Sequence, residues 1–169
     1  VAVYDAMWNL LVTNPAYEAI SGASAWRGIE RNGVWRNLAG PGPVAVQTPG
    51  ELAEQQAGLV ADLRMTAARY PTDPRVLRLV AELRRQSPRF VELWDSGDLE
   101  LHEDRSRHKY IDHPAVGRIA LDCDTLIVAG DDLRIMVYSA EPDSDDAERL
   151  ALAVVLGTRP LPADQRTAI

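Results

Sequence analysis

Tyr110-Ile111-Asp112-His113-Pro114-Ala115-Val116-Gly117-Arg118-Ile119-Ala120-Leu121-Asp122-Cys123-Asp124-Thr125-Leu126-Ile127-Val128 is followed by Ala129-Gly130-Asp131-Asp132 and then Leu133-Arg134-Ile135-Met136-Val137-Tyr138-Ser139-Ala140-Glu141. Ile119, Leu121 and Cys123 alternate with Arg118, Ala120, Asp122 and Asp124, the period of two that marks a half-buried strand. His113 to Gly117 before this run and Gly130-Asp131-Asp132 after it are turn chemistry. The next run, from Leu133 to Ser139, is β-branched and aromatic. The stretch therefore predicts three antiparallel strands in a meander with one wet face and one buried face. Asp122 and Asp124 belong to the wet face, which is either plain surface or a partner surface. Ile119, Leu121 and Cys123 belong to the floor of a core or pocket. In the last strand Met136 and Tyr138 alternate against Leu133, Ile135 and Val137, and Met136 and Tyr138 are assigned to the pocket side.

Most of the chain upstream reads as helix that covers this floor. Asn14-Pro15, Thr48-Pro49, Asp73-Pro74 and Ser87-Pro88 each place a capping residue before a proline at the first helical position. Glu51 completes a capping box with Thr48. Leu52, Gln56, Leu59, Val60, Leu63, Ala67 and Tyr70 then follow at helical spacing, and Pro71 ends the run. Val76, Leu77, Val80 and Leu83 make one face of the next helix, and Phe90, Val91, Leu93 and Trp94 are the apolar positions of the one after. Residues 7–12 read as a strand. Within residues 24–43, Trp26, Ile29, Trp35 and Leu38 imply short helical turns lying on a core. Leu99 and Leu101 alternate with Glu100 and His102 as a strand would, and the charged run 102–109 is a hairpin tip or exposed edge. A last helix, capped by the acids after Pro142 and closed by Gly157, carries Leu150, Ala151, Val154 and Val155 as its stripe. The layout is α+β: an antiparallel sheet covered on one face by several short helices, with a C-terminal helix. Residues 1–157 form one domain and 158–169 a loose tail.

The 169 residues suit a single core, and 46% hydrophobic with 25% charged residues is ordinary globular composition. No run of about 18 apolar residues is present, so no helical membrane span is expected. One cysteine, Cys123, leaves no internal disulfide and suits a cytoplasmic protein. The net charge of −7 disfavours DNA binding by phosphate neutralisation. The first residue is Val1, which is expected to follow further sequence.

His102, His108 and His113 fall close to Glu103, Asp104, Asp112, Asp122 and Asp124, yet their spacing matches no metal signature, and no metal ligands are assigned. No nucleophile elbow, phosphate loop or dinucleotide fingerprint occurs, so no catalytic residue is assigned and the chain is not expected to be an enzyme. Arg75, Arg78, Arg84, Arg85 and Arg89 make the middle helices basic, a solvated face or a docking face. Trp8, Trp26, Trp35 and Trp94 stand out beside a single phenylalanine. Such aromatics on different elements can converge on the covered face of a small sheet and line a ligand cavity. The residues assigned to that cavity are Trp8, Tyr17, Trp35, Leu63, Phe90, Trp94, Met136 and Tyr138.

Ser87-Pro88-Arg89-Phe90 with Leu93-Trp94, His113-Pro114 with Val116-Gly117, and Asp131-Asp132 leading through Val137-Tyr138-Ser139-Ala140-Glu141-Pro142 resemble, in that order, the MmyB-like ligand-binding domain of actinobacterial helix-turn-helix regulators of the XRE type. Trp8-Asn9-Leu10-Leu11-Val12-Thr13-Asn14-Pro15-Ala16 resembles the entry to the same domain, so the likeness covers about residues 6–155. The resemblance implies a PAS-like fold and a sensor of a small lipophilic molecule, a fatty acid being the family's suggested ligand. It implies no other cofactor, a homodimer, and DNA contact only through an N-terminal domain outside these residues. A carboxylate ligand would call for Arg36, Arg64 or Lys109 at the pocket mouth. Two other readings stay open: a ligand-free protein-interaction domain of the same regulator, and a small metal-dependent enzyme.

Overall fold

Asn14, Thr48, Asp73 and Ser87 each open a helix by accepting a backbone N–H with the side chain. The donors are Tyr17, Glu51, Arg75 and Phe90 respectively. Thr48 and Glu51 form the reciprocal capping box. In each case proline stands in the first turn, where its missing N–H would have had no intrahelical partner.

The computed structural model describes residues 1–96, 108–128 and 130–158. Strands β1 (Ala2–Tyr4) and β2 (Leu10–Thr13) lead into α1 (Pro15–Ser21). Two short 3₁₀ turns precede α2 (Gly33–Leu38). Helices α3 (Pro49–Arg69), α4 (Pro74–Gln86) and α5 (Pro88–Ser96) follow. Then come β3 (His108–His113), β4 (Gly117–Val128), β5 (Leu133–Ser139) and α6 (Asp145–Thr158). The expected strand at Leu99 and Leu101, most of the charged run after it, and residues 159–169 lie outside the described residues.

The strands form one five-stranded antiparallel sheet in the order β2-β1-β5-β4-β3. The meander is as the alternation predicts, and β1 joins the N-terminal strand pair to it through β5. The pairs Tyr4↔Arg134, Ala2↔Met136, Cys123↔Tyr138 and Lys109↔Leu121 put these side chains on one face. That face is the floor: Ile111, Ile119 and Leu121 are buried in it, and Leu59, Val60 and Leu63 of α3 belong to the same core. On the opposite face Val12, Val3, Ile135 and Leu126 stand in register across four strands, with Val12 and Leu126 more than half exposed.

Three expectations are corrected. The strand read over residues 7–12 begins only at Leu10. Asp5 accepts from the N–H groups of Met7 and Asn9 and its carbonyl from that of Trp8, so the chain turns there. Trp8 itself takes a left-handed backbone, φ 64°. Ile29 and Leu77 are exposed rather than core, while Trp26, Val76 and Leu83 are buried. In α6 the fully buried residue is Ala153, whereas Ala151 and Val155 are exposed. That helix also runs through Gly157 to Thr158. The glycine lies beside Ala19 of α1, where an added Cβ would make an ordinary contact at 3.5 Å, so it neither stops α6 nor is required by the packing.

Residues 24–43 are organised by a buried asparagine. Asn32 donates to the Met7 carbonyl (2.8 Å) and to Asn9 Oδ1 (2.9 Å), and accepts from the Trp35 N–H as the cap of α2. Arg31, one residue earlier, donates to the carbonyl oxygens of Leu10 (2.9 Å) and Leu11 (3.4 Å) on the outer strand β2.

Candidate functional site

The sheet floor and its helical cover leave a cavity of about 430 Å³ between them. Tyr4, Cys123, Met136 and Tyr138 form its base, with Lys109 on the β3 side. Tyr17 of α1, Trp8, Trp26, and Arg36 and Asn37 of α2 make one wall. Glu54, Gln55, Gly58 and Leu59 of α3 make the roof. Residues 42–45 cross the mouth beside Thr125 and Ile127, and Ile127 is 65% exposed. The strap over the mouth is tied by Gly42 N–H to the Arg36 carbonyl (2.9 Å) and by Val46 N–H to the Tyr110 carbonyl (2.7 Å). A mostly apolar cavity of this size with a few convergent polar groups is what small-molecule sites look like.

The polar groups of the lining are few and chemically uneven. The Tyr4 and Tyr17 hydroxyls share a hydrogen bond of 3.0 Å in the core. Burial raises both phenol pKa values, that of Tyr17 strongly, because the phenolate would lose its water. The Arg36 guanidinium carbon sits over the Trp26 ring, 3.8 Å from its centroid. Burial lowers its pKa, while the phenols of Tyr17 and Tyr4 and the Glu30 carboxylate act in the opposite sense. Lys109, a cation with only 6% of its surface exposed, and Glu54 complete the charged lining. Cys123 is a buried thiol, in no disulfide, on the cavity side of β4.

One wall is braced by an ion pair. Arg134 of β5 donates to Asp62 of α3 from Nε (2.7 Å) and Nη2 (3.0 Å), and to Thr66 Oγ1 (3.3 Å). Trp8 Nε1–H donates to the same Asp62 carboxylate at 2.6 Å. The indole that lines the cavity is thereby fastened to the group that joins helix α3 to the sheet.

Of the eight residues the sequence assigns to the cavity, Trp8, Tyr17, Met136 and Tyr138 line it. The other four do not. Leu63 and Phe90 are fully buried in the core, and Phe90 stacks on Trp94 at 5.1 Å. Trp94 faces an outer groove with Arg64 and Met65. Trp35 donates from Nε1 to Gln86 Oε1 (2.6 Å), and its ring fills the space beside Gly40. Of the three candidate cations, Arg36 and Lys109 line the cavity and Arg64 does not. Cys123 lines the cavity from the floor, to which the alternation assigned it, whereas Tyr4, left without an element, and Trp26, read as lying on a core, are lining residues the sequence did not name. Tyr4 carried a signal in the alternation of Ala2 and Tyr4 with Val3, too short to read as a strand.

The remaining candidate chemistry has structural uses. His108 Nδ1 meets Asp122 Oδ1 at 2.6 Å, and His113 Nδ1 accepts from the Ala115 N–H. His102 lies outside the described residues. Among the described residues no three His, Cys, Asp or Glu side chains are grouped to hold a metal ion. Arg75, Arg84, Arg85 and Arg89 pair with Asp73, Asp95, Glu82 and Glu92, which reduces the charge the middle helices offer to a partner. Among the described residues no helix is long and apolar enough to cross a membrane.

The model of one protein family, the MmyB-like transcription regulator ligand binding domain, matches residues 1–153. No curated protein matches the sequence.

Proposed function

Because the chain belongs to the MmyB-like transcription regulator ligand binding domain family, we propose that it is the PAS-like effector-binding and dimerising half of a cytoplasmic regulator and that it senses a small lipophilic molecule such as a fatty acid. It performs no catalysis, and it acts on DNA through a domain outside these residues. The observation that carries the reading is the cavity of about 430 Å³ between aromatic walls and an apolar sheet floor. Each methylene moved from water into such a space contributes about 0.8 kcal/mol, so an alkyl chain is an economical ligand. The family supplies the regulator context, and the cavity supplies the place for an effector.

Native mass spectrometry of gently purified protein tests the reading. A co-purifying small molecule, or a rise in melting temperature with dodecanoic to octadecanoic acids, supports it. Neither result across a broad panel of lipophiles removes the sensing role.

The in-register row Val12, Val3, Ile135 and Leu126 on the outer sheet face supports the dimer. The same row favours a second reading, a ligand-free interaction domain, which a lipid-insensitive dimer would support.

A further inference from the structure

Arg69, Arg75, Arg84, Arg85, Arg118 and Arg134 each meet a carboxylate, Arg27 and Arg31 donate to backbone carbonyls, and Arg64, away from the cavity, leaves one buried nitrogen without a partner. Arg36 is different. Among the described residues its guanidinium makes no ion pair and no hydrogen bond, although it lines the cavity and rests on the face of Trp26. A guanidinium held against a ring face has its N–H donors available to a planar acceptor such as a carboxylate. Withdrawing a guanidinium from water without a counter-ion is unfavourable, and the lowered pKa of Arg36 registers that cost.

A second donor lies alongside. Tyr4 and Tyr17 share one hydrogen bond, which uses one of their two hydroxyl protons and leaves the other to be donated. Tyr4, Tyr17 and Arg36 all line the same cavity. Lys109 adds positive charge to the lining, against the single carboxylate of Glu54. Met136, Leu59 and Gly58 give the base and roof apolar surface beside the polar Gln55. The site therefore combines two cations and a phenolic donor with a mostly apolar lining.

We propose that Arg36, held on Trp26 beside the Tyr4–Tyr17 pair, is the anchor for an oxyanion head group, so that the cavity selects acidic lipophiles over neutral ones of equal length. This rests on the reading of the cavity as the effector site. The head group is a carboxylate or a phosphate monoester. Both present oxygens that a guanidinium edge and a phenolic O–H recognise.

The test compares tetradecanoic acid, tetradecyl phosphate and tetradecanol by titration calorimetry, on the wild-type chain and on R36Q and R36K, with circular dichroism confirming that each variant is folded. One acid or both should bind the wild type about ten- to a hundredfold tighter than the alcohol, the range of a charge-assisted hydrogen-bonded pair. R36Q should bring that preference to within about threefold by weakening the acid alone, on the same energetic scale. R36K should retain part of it. Whichever acid binds more tightly identifies the head group, and either satisfies the proposal. An acid preference that survives in folded R36Q overturns it, as does a wild type that takes the alcohol equally well. If the wild type binds none of the three, the cavity reading itself fails and the anchor with it.

Discussion

Arg134 on β5 and Asp62 on α3 face each other with two N–H···O bonds of 2.7 and 3.0 Å, the arginine side chain only 7% exposed. Removing one partner of such a pair leaves the other charge stranded, which costs more than the pair contributes. Asp62→Asn should therefore destabilise the domain by about 3 kcal/mol, and Asp62→Leu with Arg134→Met together by clearly less. Urea unfolding of the two proteins decides between them. Trp8 emission should also shift in Asp62→Asn, since its indole N–H loses its ionised acceptor.

Tyr4 and Tyr17 should resist ionisation. Their folded pKa values lie above the ordinary 10.0 because burial penalises the phenolate. The folded state thus holds their protons more tightly than the unfolded chain. Their contribution to stability is complete below pH 10 and is lost as the pH rises through the higher folded values. Absorbance at alkaline pH should show these two phenols titrating together with unfolding. A smooth titration of all five tyrosines with retained circular dichroism would contradict this.

Met136 sits on the cavity base opposite Thr125. Met136→Trp should fill part of the empty volume, cost about 1 kcal/mol or less because space is available, and abolish any rise in melting temperature with tetradecanoic acid. Unchanged lipid response in the folded variant would move the ligand elsewhere.

The outer row gives a separate handle on assembly. Ile135 and Leu126 are paired neighbours whose side chains share the uncovered face, and neither lines the cavity. If the proposed dimer forms through this face, Leu126→Lys should weaken it about tenfold or more in analytical ultracentrifugation, while lipid binding persists.

The meander was legible because alternation states directly which residues share a face, and the four cap-proline pairs fixed helix starts for an equally local reason. What the sequence left open was layering. Leu63 and Phe90 have the same apolar periodicity as true lining residues, but they are fully buried in the packed core and do not reach the cavity. Trp35 and Trp94 share that ambiguity, since an aromatic side chain announces burial and not its direction. Arg36 was legible as one of three candidate cations for a carboxylate, with nothing in the sequence to separate it from Arg64. Its stacking on Trp26 depends on the turn set by Asn32, whose partners Met7 and Asn9 are distant in sequence. The false strand over residues 7–9 had a comparable cause: apolar Met7 and Trp8 suited a strand, and the competing Asp5 side-chain bonds carry no periodic signature.

Arg31 has a consequence for the protein at high concentration. By donating to the carbonyls of Leu10 and Leu11 it occupies acceptors that an incoming strand would need on β2. Leu11 and Val12 are exposed on that border and would otherwise invite cross-β polymerisation. The guanidinium acts as a stopper at the rim of the sheet, so copies can meet through broad faces without growing into fibrils strand by strand.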